Sequence, residues 1–272
     1  LPGGWQVCAE QIRVVADGQA APRLPSVARS HRLGNLPTTL WWASRQPPPF
    51  ADKLFFQLAT LSDQIIYASF GWTEPTKGMQ AMSRWLAAER SEYVVDNLAW
   101  RRLKPWRSLI SQVLDPAVLP GALSQVSRLE ITHGPHAVTM AALLVGWLAA
   151  LLGWEVRGGR VVAGKRTVWQ FGLGKRQFPV ELTRVDTPPT APHEVHWVWR
   201  DGESERHMIL RELPDERFGI AEQPGEPPVR VISAPQPDRG AMVAAQMAHR
   251  ARDTVFEQAM ETGNAMTTVL LQ

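Results

Sequence analysis

The 272 residues suffice for one large domain or two modest ones, and 44% hydrophobic against 20% charged residues is globular composition with enough apolar mass for a core. A formal net charge of +3, with no Lys/Arg cluster alternating with aromatics on a strand, argues against a nucleic-acid platform. A single cysteine, Cys8, excludes an intramolecular disulfide and a multi-cysteine metal site, and it fits a reducing compartment such as the cytoplasm.

The chain opens at Leu1 rather than Met and shows no basic segment followed by an apolar one, so no signal peptide is expected and an upstream segment is. Residues 6–16 (QVCAEQIRVVA) read as a strand, residues 17–18 as a turn, and residues 23–31 as a short helix. Residues 38–43 (TTLWWA) form a second, doubly apolar strand, ended by the prolines at 47–49. A helix follows over 50–63, with Leu54, Leu58 and Leu61 on one stripe, and then an apolar strand at 64–69 (QIIYAS). Helices are expected over 78–92 and over 105–114, the latter opening on a proline whose missing N–H is harmless there. Residues 125–132 (QVSRLEIT) complete a series of strands alternating with helices. That alternation predicts an α/β region with a mostly parallel sheet covered by helices, over 1–156.

Residues 137–154 carry no charge. Their length is at the lower edge for a membrane span, but His133-Gly134-Pro135 marks a helix start, Gly153 a stop, and no flanking basic cluster sets an orientation. A buried core helix is expected. From 157 to 272 the texture is antiparallel β-hairpin, closed by a helix over 239–262. A four-residue loop at 174–177 would set Leu173 opposite Phe178 and Phe171 opposite Val180. A similar loop at 201–204 would set Trp197 opposite Met208 and Val195 opposite Leu210, and residues 217–221 and 229–233 would form a third pair.

No catalytic constellation emerges. Residues 159–165 (GRVVAGK) have the spacing of a phosphate loop, but Arg166 follows where Ser or Thr should bind Mg²⁺, and a β-pattern follows where a helix is required; a hairpin turn is expected. His193 and His196 lie three apart on a strand and face opposite sides. His133 and His136 flank the start of the apolar helix, where they could hold an anion with free backbone N–H groups, or simply shape a helix-entry turn. Glu130 is the one strand carboxylate whose burial would matter. Nothing calls for a cofactor or a metal.

Residues 96–107 (DNLAWRRLKPWR) concentrate two Trp and four basic residues. Trp100, Arg101, Arg102, Lys104, Trp106 and Arg107 have the composition of a protein–protein hot spot, although the two indoles could equally anchor a loop in the core. Arg101, Arg102 and Lys104 could alternatively grip a sugar phosphate, in an enzyme or a metabolite-sensing domain.

This segment resembles the D-L-x-W-x-R-x-x-x-W-R signature of the OpcA family of glucose-6-phosphate dehydrogenase assembly proteins, departing at Asn97, where the family has an acidic residue. Three further stretches are similar to family motifs in the same order: Leu36-Pro37 with Trp41-Trp42, Leu144-Val145-Gly146-Trp147-Leu148-Ala149, and Asp253 with Phe256 and Ala259. The resemblance implies a non-catalytic partner of oligomeric glucose-6-phosphate dehydrogenase, supporting its assembly or activating it allosterically at the entry to the oxidative pentose phosphate pathway, as in cyanobacteria. It also implies further α/β sequence upstream, so a partial chain. Redox control, associated with the family in cyanobacteria, would find no intramolecular dithiol here.

Overall fold

In a computed structural model the described residues are 11–34, 36–89, 92–186 and 191–271. Cys8, with the first five residues of the expected strand over 6–16, and the prolines at 188–189 fall outside them, and residues 11–16 form neither helix nor strand.

The first sheet has three parallel strands in sequence order, β1 (Thr39–Trp42), β2 (Gln64–Tyr67) and β3 (Val94–Asn97). All four residues of β2 are buried, as expected of a central strand covered on both faces. In the chain, α1 (Leu24–His31) precedes β1, and the helices α2 (Asp52–Ala59) and α3 (Pro75–Ala88) flank β2. Phe55 and Ala59 lead the buried face of α2, so the stripe is rotated by one residue from the Leu54–Leu58 line read in the sequence. Two short helices, α4 (Leu98–Arg102) and α5 (Lys104–Val113), follow β3 with only Leu103 between them.

The strand expected near 125–132 forms as β4 (Val126–His133), but it belongs to a second, eight-stranded sheet. There β4 runs parallel to β7 (Arg176–Arg184) on one side and antiparallel to β8 (Pro192–Asp201) on the other. Beyond β7 lie β6 (Arg166–Leu173) and β5 (Glu155–Val162). Beyond β8 lie β9 (Ser204–Leu213), β10 (Arg217–Ala221) and β11 (Arg230–Ser233). The second sheet is otherwise the antiparallel meander that the hairpin pattern predicts.

The expected pairs Trp197–Met208 and Val195–Leu210 are present, with Asp201 and Ser204 closing around Gly202-Glu203. The β6–β7 hairpin is shifted by two residues from expectation. Its turn is the two-residue Gly174-Lys175, so Leu173 faces Arg176 and Phe171 faces Phe178. Gly174 at φ +60° supplies the left-handed backbone that such a tight turn requires. A shift of two preserves the face of every side chain, so Trp169, Phe171, Phe178, Val180 and Leu182 still enter the core together.

α6 (Val138–Leu152) is the apolar helix, and every residue from Thr139 to Ala149 is buried. It lies between the large sheet and the C-terminal helix, touching β4, β7 and β8 on one side and α3 and α8 (Thr254–Leu270) on the other. That two-sided burial explains why the segment lacks an amphipathic period. Gly153 at φ +68° ends it. No helix among the described residues is long and apolar enough to cross a membrane. The single closing helix expected over 239–262 is two, α7 (Arg239–Ala248) and α8. Each opens on an aspartate cap: Asp238 accepts from the Ala241 N–H, and Asp253 from the Phe256 N–H.

Candidate functional site

Residues 96–107 fold back on the α7–α8 junction. Asn97 caps α4, its Oδ1 accepting from the N–H groups of Ala99 and Ser69 at 2.9 and 3.2 Å, which gives the departure from the family's acidic residue a structural role. Asp96 is 5% exposed. Its carboxylate accepts from Gln64 Nε2 at 2.7 Å and from Gln246 Nε2. Burial outweighs those two donors and pushes the carboxyl up to about 6.

The Trp100 Nε1–H donates to Asp253 Oδ2 at 2.7 Å, and the Arg107 guanidinium lies over the Trp100 ring at 3.6 Å from its centroid. Burial lowers the Arg107 pKa to about 10, opposed by the nearby Asp253 charge. Arg101 donates to Gln246 Oε1 at 3.0 Å, and Arg102 lies over the Phe70 ring at 5.9 Å. Lys104 is exposed. A cavity of about 190 Å³ remains between these groups, bordered by Asp96, Arg101, Lys104, Arg107, His249 and Asp253. Trp106 is wholly buried and meets Phe218 edge-to-face at 4.7 Å. The segment therefore splits: its indoles pack inside this chain, and Lys104 with parts of the three arginines reaches solvent. Nothing in the sequence brings Asp96, Gln64, Gln246 and Asp253 together, because their convergence depends on contacts more than 140 positions apart.

His133 and His136 part company at the start of α6. His133 is buried, with Nδ1 against the Gly134 carbonyl at 2.8 Å, and burial lowers its pKa below the ordinary imidazole value, so it is neutral at pH 7. His136 is exposed, and its carbonyl accepts from the Gly71 N–H. Both line a cavity of about 280 Å³ together with Trp72, Lys165 and Arg184. Lys165 arrives on the β5–β6 turn, so the segment with phosphate-loop spacing is a hairpin, as expected, with Ala163 and Gly164 at φ +51° and +70°.

On the large sheet's outer face Glu130 is half-buried and accepts from His196 Nδ1 at 3.0 Å, which holds its carboxyl below the usual range. His196 Nε2 lies 3.1 Å from His207 Nδ1. His193 is three residues along the same strand and faces the opposite side. No group of three or more His, Cys, Asp or Glu among the described residues could hold a metal ion.

Two solved structures share the fold over most of the chain. An oxidoreductase from Parabacteroides merdae superposes with a TM-score of 0.55 at 8% identity, covering 94% of this chain and 83% of that one. The Clostridium difficile dehydrogenase MviM gives 0.50 at 8%, covering 85% and 78%. Among curated proteins, an OpcA protein of Nostoc punctiforme is 28% identical over 182 residues, 66% of this chain and 38% of that protein. The Synechocystis OpcA protein is 28% identical over 150 residues, 54% of this chain and 30% of that one. The matches thus span between 30% and 38% of the length of these relatives. Two family profiles match in succession. The first, over residues 2–84, describes the N-terminal domain of the glucose-6-phosphate dehydrogenase subunit. The second, over residues 93–260, describes the C-terminal domain of that subunit, and by the two matches the chain belongs to the OpcA family.

Proposed function

We propose that this chain is a non-catalytic cytoplasmic partner of glucose-6-phosphate dehydrogenase, promoting the assembly or raising the activity of that enzyme at the entry to the oxidative pentose phosphate pathway. The observation that carries the reading is the succession of two profiles, both described as domains of a glucose-6-phosphate dehydrogenase subunit. The mechanism is a population shift, in which the chain binds the active conformation or oligomer of the dehydrogenase more tightly than the inactive one. A tenfold difference in affinity for the two states supplies about 1.4 kcal/mol of coupling. The proposed docking patch comprises Lys104 and the solvent-facing parts of Arg101, Arg102 and Arg107, supported from beneath by Trp100 and Trp106.

The test titrates purified dehydrogenase with this chain at substrate concentrations below KM, with co-elution on a sizing column in parallel. A rise in rate or a larger complex is expected. Unchanged kinetics together with separate elution would overturn the reading. Lys104→Glu, which reverses an exposed charge, is expected to weaken the complex without lowering the melting temperature.

A further inference from the structure

The cavity beside α6 combines two sequence features that fail separately as sites, the His133–His136 helix entry and the turn with phosphate-loop spacing. It opens at the carboxyl ends of parallel strands. His133 ends β4, Arg184 ends β7 in register beside it, and Ser69 and Gly71 follow β2. That is the crevice in which α/β sheets hold ligands. No carboxylate among the described residues lines it.

Donors reach it from several directions. The 15-residue helix α6 begins there with Ala137 at its N-cap and no side-chain cap, and Val138 and Thr139 of its first turn are lining residues. Trp72, 6% exposed, is among the lining residues. Lys165 and Arg184 stand at the rim. They share one exposed carboxylate outside the lining, Asp186, at 2.5 and 3.5 Å, which leaves the pair with a net positive charge.

We propose that this cleft binds a phosphate group, either free or as the monoester of a small metabolite. A tetrahedral oxyanion presents oxygens in several directions and so matches donors arriving from a helix start, an ammonium and a guanidinium, whereas a carboxylate offers two oxygens in one plane. The volume lies at the small end of ligand pockets, which suits a phosphate with a short organic remainder and excludes a dinucleotide. The proposal concerns this chain alone and stands whether or not the dehydrogenase is its partner.

Isothermal titration of the whole chain with inorganic phosphate, and separately with glycerol 3-phosphate, in chloride buffer is the test. Saturable one-to-one binding is expected with at least one probe. Tighter binding of the ester would assign a metabolite, and equal affinity the free ion. The double substitution Lys165→Ala with Arg184→Ala removes both positive charges at the cavity and is expected to weaken binding at least tenfold; neither residue belongs to the buried core. Should the double variant lose its fold, Lys165→Gln alone and the movement of the Val138 and Thr139 amide resonances decide the matter. Arg206→Ala, at a distant exposed ion pair, should change nothing. Absence of saturable heat with both probes at millimolar concentration, or unchanged affinity in the cleft variants, would overturn the proposal.

Discussion

Trp106 and Lys104 are two positions apart, and their side chains have opposite surroundings. Trp106 has no exposed surface and packs edge-to-face on Phe218, so Trp106→Ala is expected to destabilise the fold by about 3–5 kcal/mol in urea unfolding. Lys104→Ala should stay within about 0.5 kcal/mol of the parent, since nothing buried depends on it. Similar losses in the two variants would refute the division of this segment into core and surface. The residue types of 96–107 were legible in the sequence, but their directions were not. The helix breaks at Leu103, and the break resets which face each side chain takes, so no single period connects Trp100 with Trp106.

Asp96 carries a pH dependence that composition could not suggest. Its proton leaves near pH 3.8 in the unfolded chain and near 6 in the folded one, so the folded state holds more protons between those values. The contribution of this group to stability is therefore complete below pH 3.8 and is lost as pH rises through 6, by about 3 kcal/mol at the outside. His133 has the opposite sign. Its pKa is depressed by burial, so its contribution is complete above pH 6.5 and is lost as pH falls. The two slopes oppose one another in the parent protein. Asp96→Asn should isolate the histidine, giving urea midpoints that rise more steeply from pH 4 to pH 6.5 than the parent's. Parallel profiles would show that Asp96 titrates at its ordinary value.

At the scale of elements, α6 and α8 approach closely at Gly146. A Cβ placed on Gly146 would be driven into the carbonyl oxygen of Ala259, which is backbone and cannot turn aside. Gly146→Ala should therefore cost more than about 2 kcal/mol, although alanine favours an isolated helix over glycine by about 1 kcal/mol. A gain in thermal stability on that substitution would contradict the packing. Two of the four stretches similar to the OpcA motifs meet at this contact, and a third joins them where Trp100 donates to Asp253.

Elements with a strong period were readable, and their junctions were less so. Alternation fixed the faces of β6 and β7, whereas the turn length, and so the register, depended on whether Gly174-Lys175 or a longer loop made the bend. The stop between α7 and α8 was missed because residues 249–253 contain no Gly or Pro. Its only signal was Asp253 as a cap, set inside an otherwise continuous helical pattern.

For the whole molecule, the chain order of the strands conceals which sheet they enter. β4 follows two helices much as β2 and β3 follow theirs, and local pattern cannot reveal that its partners β7 and β8 lie some 50 to 70 residues downstream. The same long-range return joins the two sheets. α7 leaves the large sheet to pack against β2 and α4, and α8 then lies on α3, α6 and β5, so one C-terminal segment contacts elements of both halves. Gln246 on α7 completes the Asp96 cluster, and the Ser83 hydroxyl of α3 donates to the Met260 carbonyl of α8.

With these helices as common walls, neither sheet keeps a closed core when the other opens. The chain should therefore unfold in urea as one cooperative transition, with tryptophan fluorescence and far-UV circular dichroism giving the same midpoint. Indoles report from both halves, among them Trp85 beside the small sheet and Trp197 within the large one, so early opening of either would separate the probes. Asp253→Ala removes both the α8 cap and the Trp100 acceptor, and should lower that midpoint by the equivalent of about 2 kcal/mol while leaving the transition single. Two resolved transitions in the parent chain would mean that α7 and α8 belong to one half alone.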